Sequence, residues 1–187
     1  AGGGVSRISL DPDLEAERSN SFSGSINFDK PTALYIFGVT LEGFYTQLKE
    51  AFYLHPMGAD DRGELFEKRN EPTAVVKGLT LEARANYNRI AQLEAGFTLQ
   101  SSKFDKPIAH FDEQPGGKRD FMRSPNQYGY AVFTYTPNKR FNASLSGIYT
   151  GKMWLAKFSP NEEWAPNEYR ESSNFAELSM KVGYTIP

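Results

Sequence analysis

RSPNQYGYAVFTYTPNKRFNASLSGIYTGKMW, residues 123–154, is the stretch that decides the fold. The segment 136–140 holds a proline followed by an asparagine, which favours a tight turn because proline fixes φ and asparagine tolerates positive φ. On both sides of this turn, large apolar residues alternate with small or polar ones, and Ile148 breaks the pattern. A period of two predicts two β-strands joined as a hairpin, each with two different faces.

The predicted hairpin has one apolar face and one face of small and polar side chains. Phe133 and Tyr135 lie on the apolar face before the turn, and Phe141 and Leu145 lie on it after the turn. In a soluble sheet this face would be covered by a core. In an outer-membrane barrel it would contact lipid, with aromatic residues at the interface.

The same alternation recurs along most of the chain and predicts seven strands in meander order. Predicted short turns lie at 29–33, 88–91 and 136–140, and longer loops lie at 56–63, 103–124 and 157–173. Two predicted strands, about 34–54 and 64–88, contain more than 20 residues each, whereas strands in soluble proteins usually contain about 3–10. For the second strand, a bend at 70–72, where a proline stands, is an open alternative. Over-long strands with short turns at one end and long loops at the other are typical of outer-membrane barrels.

The composition narrows the functional classes. The 187 residues carry a net charge of −2, which argues against nucleic acid as a partner. There is no cysteine, so no disulfide holds the fold. No run approaches the ~20 apolar residues of a spanning helix, but alternating strands can cross a membrane while the mean hydropathy stays polar.

In the barrel interpretation, the alternation assigns residues to lipid, to an interface and to the lumen. The predicted lipid-facing residues carry no charge, because a charge at mid-bilayer costs about 2–4 kcal/mol. They are Leu79, Leu81, Ala83, Ala85, Leu145, Leu178, Met180 and Val182. Aromatic residues near the short turns, with the parity of the apolar face, predict a girdle at one interface. They are Phe28, Tyr35, Tyr87, Tyr135, Phe141 and Tyr184. The charged residues predicted to point into the lumen are Glu82, Arg84, Glu94, Glu177 and Lys181.

These features together predict an all-β fold. It is an antiparallel up-and-down meander of about seven strands, forming a partial, open segment of a transmembrane β-barrel. The alternative is a soluble β-sandwich with a core rich in phenylalanine and tyrosine. A sandwich gives no reason for aromatic residues to gather at one height of the sheet.

Five segments resemble motifs of TonB-dependent outer-membrane receptors and occur in the order of that family. They are PDLEAERSN at 12–20, VTLEGFYT at 39–46, RN at 69–70 with VKGLTLE at 76–82, RSPNQYGY at 123–130 and YTGKM at 149–153. Each segment is short, but the ordered set covers most of the chain.

The resemblance implies a barrel of about 22 strands with an N-terminal plug, in the bacterial outer membrane. Such a receptor imports a scarce nutrient (iron-siderophore, cobalamin or glycan) with energy from TonB. This sequence departs from the pattern, because it shows no plug, no TonB box and too few strands for closure, and it ends without the usual terminal aromatic. We therefore expect one barrel segment, 1–187, from near the barrel's C-terminus, without a plug domain or signal peptide.

The implied partners are outer-membrane lipid, the plug of the parent chain, TonB acting through that plug, and a small-molecule nutrient. The isolated segment is expected to self-associate through its open edges. The nutrient-binding candidates lie in the predicted long loops, since aromatic side chains carry much binding energy. They are His110, Phe111, Trp154, Trp164 and Tyr169.

No catalytic chemistry is predicted. The two histidines have no cysteine beside them to complete a metal site, and no nucleophile motif frames the serines. The GGK segment at 116–118 lacks the other parts of a phosphate loop. The sequence thus predicts no enzyme, no cofactor and no metal site. The alternative function is a non-transporting β-sheet binding module or a surface adhesin.

Overall fold

The computed structural model describes residues 7–60, 63–70, 72–107, 119–157 and 168–186. Within these ranges, no helix is long and apolar enough to cross a membrane. The described strands are β1 (Arg7–Leu10), β2 (Arg18–Pro31), β3 (Tyr35–Lys49), β4 (Phe52–Asp60), β5 (Gly63–Asn70), β6 (Ala74–Tyr87), β7 (Ala91–Phe104), β8 (Gln127–Asn138), β9 (Phe141–Thr150), β10 (Trp154–Lys157), β11 (Glu168–Glu171) and β12 (Phe175–Tyr184).

Seven of these strands form one sheet, which we call the large sheet. Its order is β2-β3-β6-β7-β8-β9-β12, and every pair of neighbours is antiparallel. The order follows the chain, so the large sheet is an up-and-down meander. It stays open, with β2 and β12 as its edges. The predicted open meander of about seven strands is confirmed.

Short turns connect the strands at one end of the large sheet. In the turn after β6, Asn88 and Arg89 have φ angles of 48° and 59°, a region that asparagine tolerates well. After β8, the Asn138 Oδ1 accepts hydrogen bonds from the amide of Arg140 in the turn, at 2.9 Å, and from the amide of Phe141 at the start of β9, at 3.1 Å. This turn is tighter than predicted, because β8 extends through Asn138 and a register shift after Tyr135 accommodates Pro137. Proline has no N–H for the ladder, so an irregularity is expected there.

The two over-long strands are each divided, and the prediction of a polar loop at 56–63 is wrong for 56–60, which belong to β4, and for Gly63, which begins β5, while 61–62 lie outside the described residues. A bend at Glu50, whose φ is 54°, separates β3 from β4. β4 pairs antiparallel with β5, and β1 pairs with β5 in parallel. We call this three-stranded unit the outer sheet. It extends from the end of the large sheet that lies opposite the short turns.

The loop predicted at 157–173 is also partly wrong. β10 and β11 pair antiparallel, with Trp154 opposite Glu171. The Lys152 Nζ lies 3.1 Å from the Glu171 carboxylate and adds an ion pair beside the first rung of this ladder. This small hairpin lies at the same end of the large sheet as the outer sheet, between β9 and β12.

The large sheet is one layer thick and buries little. Among the described residues, Ala74 is the buried hydrophobic side chain, whereas Leu81 is 51% exposed and Leu178 is 79% exposed. The chain exposes 13417 Å², while a compact monomer of this mass exposes roughly 9,000 Å². A β-sandwich buries such side chains between two sheets. The described residues show no such core, so the apolar surface needs another partner.

Candidate functional site

The register sorts the side chains of the large sheet onto two faces. Directly paired residues share a face, so rows can be followed across all seven strands. One row reads Ile26–Leu41–Leu81–Phe97–Gly129–Tyr149–Ala176, and the next reads Phe28–Val39–Ala83–Ala95–Ala131–Gly147–Leu178. Neither row contains a charged residue. We call this side the apolar face.

The uncharged band on the apolar face has the height of a membrane crossing. On β6 it runs from Leu79 to Tyr87, and Lys77 lies just beyond it. These nine residues match the about 9–11 with which a tilted strand crosses a bilayer. One charged residue among the described residues, Lys30, lies within the rows of the band, on the edge strand opposite Phe37. It is close enough to the short turns for its long side chain to reach an interface.

All eight residues predicted to face lipid lie on the apolar face. Exposure rises toward the edge of the sheet. Leu79 on a central strand is 55% exposed, whereas Leu178 and Met180 on β12 are 79% and 76% exposed. The edge residues are more exposed because the sheet pairs β12 on one side alone.

The aromatic residues predicted as a girdle are not all at one height. Tyr35, Tyr87 and Tyr135 lie in the last row that runs from β3 to β12 before the short turns, and Phe141 pairs with Tyr184 one row further. The Tyr135 and Phe141 rings meet edge to face, with centroids 6.4 Å apart. The sixth residue, Phe28, pairs with Val39 in the middle of the band, four residues or ~13 Å along the strand from the row of Tyr35.

The opposite face of the large sheet, which we call the polar face, carries charge. Its charged residues are Asp29, Glu42, Glu82, Arg84, Glu94, Glu177 and Lys181. Acidic residues outnumber basic ones there by five to two. All five charged residues predicted to point into a lumen are on this face.

Glycines let side chains on the polar face meet across an intervening strand. Gly38 lies between Asp29 and Arg84 in the register, and the Arg84 Nη2 reaches the Asp29 Oδ1 at 2.6 Å. A Cβ at Gly38 would contact both side chains. Gly96 lies beneath the Tyr130 ring, and a Cβ there would be 2.6 Å from that ring. The Tyr130 hydroxyl thereby donates a hydrogen bond to the Glu82 carboxylate, across β7, at 3.4 Å.

The apolar face repeats this arrangement with two aromatic rings. Gly129 lies between Phe97 and Tyr149 in the register. The two rings stack with centroids 6.2 Å apart, and a Cβ at Gly129 would be 2.7 Å from the Phe97 ring. Stacking of this kind stabilises a sheet beyond area burial.

Two of the predicted nutrient-binding residues fall in the small hairpin at the long-connection end. Trp154 begins β10, is half-buried, and its carbonyl accepts a hydrogen bond from the Arg123 amide at 2.8 Å. Tyr169 lies in β11 opposite Ala156. Its side chain, together with His110, Phe111 and Trp164, lies outside the described residues. Within the described ranges, no three His, Cys, Asp or Glu residues come together as a metal site.

The structure adds residue roles that the sequence patterns did not assign. The bridging glycines and Asn70, whose contacts are described below, gain their roles from neighbours distant in sequence. A glycine opposite a large residue could have indicated such a bridge, but only once the pairing of the strands was known.

An open meander with one apolar face as tall as a bilayer and one charged face is a segment of a transmembrane β-barrel wall. The chain belongs to the TonB-dependent receptor family, because the family model "TonB dependent receptor-like, beta-barrel" matches residues 1–187. The family is one of outer-membrane receptors and transporters, and the resemblance noted in the sequence is confirmed.

Solved structures show the same fold. The FrpB iron transporter of Neisseria meningitidis (F5-1 variant) has a TM-score of 0.64 at 16% identity, covering 97% of this chain and 26% of that one. The ferric-catecholate import receptor Fiu of E. coli K12 has 0.63 at 13%, covering 95% and 22%. The copper transporter OprC has 0.61 at 11%, covering 94% and 24%. The chain thus spans about a quarter of the proteins it matches. No match is found among curated proteins.

Proposed function

We propose that this chain is part of the barrel wall of an energised importer for iron bound to a siderophore, in a bacterial outer membrane. The observation that carries the proposal is the two-faced large sheet in a chain that belongs to the TonB-dependent receptor family along its whole length. The wall separates lipid from a lumen in which a plug, coupled to TonB, gates the nutrient.

On the lipid side, the side chains of the apolar face contact lipid hydrocarbon instead of a protein core. Large side chains such as Leu81 and Met180 are exposed at 51% and 76%, which is costly in water and favourable in a bilayer. The tyrosines near the short turns would then lie at the periplasmic interface, where their hydroxyls reach water.

On the lumen side, the polar face offers hydrogen-bonding and ionic contacts to a plug. Its acidic excess favours a basic partner surface, while the Arg84–Asp29 pair is already satisfied within the wall. Charges are tolerated on this face because it stays wet or contacts protein.

The nutrient class is proposed by analogy with solved structures that this chain resembles. FrpB is titled an iron transporter and Fiu a ferric-catecholate import receptor, and transfer of that substrate to this chain is our proposal. The residues proposed to contact the nutrient are those of the long connections, His110, Phe111, Trp154, Trp164 and Tyr169.

A growth experiment tests this function. Bacteria that lack the gene for the whole receptor, and that have no other route for a ferric catecholate, are starved of iron and supplied with that complex. We expect growth to return when the gene is restored, and to disappear again when TonB is removed. Restored surface expression without uptake of any ferric siderophore would contradict the proposal and favour an adhesin or binding module.

Copper is a second candidate, because OprC is titled a copper transporter. The same strains, supplied with radioactive copper instead of iron, separate the two. Receptor-dependent and TonB-dependent copper accumulation without iron uptake would replace the siderophore proposal.

A further inference from the structure

Two segments that the sequence singled out, 12–20 and Arg69-Asn70, meet in space at the base of the outer sheet. The Asn70 Oδ1 accepts a hydrogen bond from the Glu15 amide at 2.6 Å, and the Asn70 Nδ2 donates to the Glu15 carbonyl at 2.9 Å. One side chain therefore binds both backbone polar groups of Glu15. It holds the connection between β1 and β2 against the end of β5.

The same side chain also holds the bend between the two sheets. The Asn70 Nδ2 donates a second hydrogen bond to the Glu50 carbonyl at 2.7 Å. Glu50 is the residue whose positive φ, 54°, separates β3 from β4, a conformation that costs a non-glycine residue energy and persists when its surroundings hold it. An amide is suited to this task, because it has one acceptor and two donors on one short side chain.

Neighbouring contacts hold the connection against β5 and against the start of β4. The Asp11 amide donates to the Lys68 carbonyl at 3.0 Å, and the Phe52 amide donates to the Glu17 carboxylate at 3.3 Å. These contacts lie close to Asn70, whose side chain bonds both to Glu15 in the connection and to Glu50 at the bend.

We propose that Asn70 is a positioning residue that sets the orientation of the outer sheet on the large sheet. The face being oriented carries Ser9, His55 and Glu67, which share one row, and the Arg69 Nε pairs with Glu67 there. The outer sheet lies at the end of the large sheet that carries the long connections. The functional part of this proposal rests on the proposed function, in which this end receives the nutrient.

Hydrogen exchange on the whole receptor in detergent tests the hydrogen bonds. Asn70→Ala removes acceptor and donors, so exchange should rise at least tenfold both in 11–17 and in 50–53. Asn70→Asp keeps the acceptor for the Glu15 amide but loses both donors, so exchange should rise in 50–53 while the Glu15 amide stays protected. The control is Asn174→Asp at an exposed position, which should change neither segment. Equal protection in all four proteins would overturn the proposal.

Spin labels test the orientation itself. These 187 residues contain no cysteine, so Met57→Cys on the outer sheet and Lys77→Cys on the large sheet can be labelled selectively in a whole receptor in which any cysteine elsewhere is replaced by serine. Electron–electron distance measurements should give a narrow distribution with Asn70 and a clearly broader one with Asn70→Ala, while the receptor keeps its resistance to unfolding in SDS. An unchanged distribution with Asn70→Ala would contradict a positioning role.

Uptake of a ferric catecholate connects this role with transport. With Asn70→Ala present in the membrane at the normal amount, we expect uptake to fall at least threefold, and unchanged uptake would overturn the functional part of the proposal. If the unmodified receptor does not import the complex, the proposed function fails, whereas the exchange and distance results still decide the role of Asn70.

Discussion

At the scale of single residues, the face of each side chain could be read from the sequence, because neighbouring side chains on a strand point to opposite sides. The structure places Leu79 and Leu178 on one face and Glu82 and Lys181 on the other, as the alternation predicts. The bridging glycines could not be predicted, since Gly96 acquires its role from Tyr130, a residue brought beside it by strand pairing.

The apolar face makes a prediction at Ala83, which lies in the middle of the uncharged band. Ala83→Arg places a charge against hydrocarbon and should cost about 2–4 kcal/mol, so less receptor should assemble. Thr80→Arg on the polar face should assemble normally. The fraction of heat-modifiable receptor in outer-membrane extracts measures this, and equal assembly of the two variants would argue against lipid contact.

A second residue prediction concerns the bridge over Gly96. Gly96→Ala puts a methyl group 2.6 Å from the Tyr130 ring and should destabilise the receptor by about 1–3 kcal/mol through overpacking. Gly24→Ala is the control, because nothing lies within 4 Å of its Cβ position. Urea unfolding in detergent compares them. In a receptor that already carries Tyr130→Ala, Gly96→Ala should cost little further stability, since the coupled pair is then removed. Additive losses of unfolding free energy in the double variant would contradict the bridge.

At the scale of elements, periodicity predicts that a strand exists but not where it bends. The alternation predicted one strand at 34–54 and another at 64–88, with a bend at 70–72 as an alternative. The structure has that break between β5 and β6, but it also breaks the first strand at Glu50 and pairs β4 with β5. The break at Glu50 depends on a positive φ at a residue that rarely adopts it and on an asparagine 20 residues away. Neither signal is local, so the outer sheet was missed.

The element scale also predicts sidedness. Short turns such as 88–90 should face the periplasm, and the connection between β7 and β8 should face outside, as the loop lengths of such barrels imply. Trypsin added to intact cells should therefore cleave near Arg119 and spare Arg89 and Lys139. Mass spectrometry of the released peptides checks this. Cleavage at Arg89 in intact cells, with Arg119 protected, would invert the orientation.

At the scale of the whole molecule, the large sheet leaves its apolar side chains exposed and the backbone groups of its two edges unpaired. Ile26 on one edge strand and Met180 on the other are 75% and 76% exposed, and both edges leave backbone groups that lipid cannot satisfy. Within the described residues, no second layer covers either face. The proposed nutrient contacts were the least predictable part, because the candidate residues lie in long connections whose composition does not determine their path.

The last prediction is that these 187 residues, expressed by themselves, associate in water. Open edges invite pairing with another chain, and apolar patches of this size rarely stay bare, so sheets should join through β2, β12 and the apolar face. Sedimentation and light scattering should show oligomers that detergent reduces in size. Charges introduced on the apolar face, such as Leu81→Lys with Leu178→Lys, should weaken the association, whereas Thr40→Lys with Ser179→Lys on the polar face should not. A stable monomer without detergent that buries Leu81 and Leu178 would indicate a soluble β-domain, and the importer proposal would then be withdrawn.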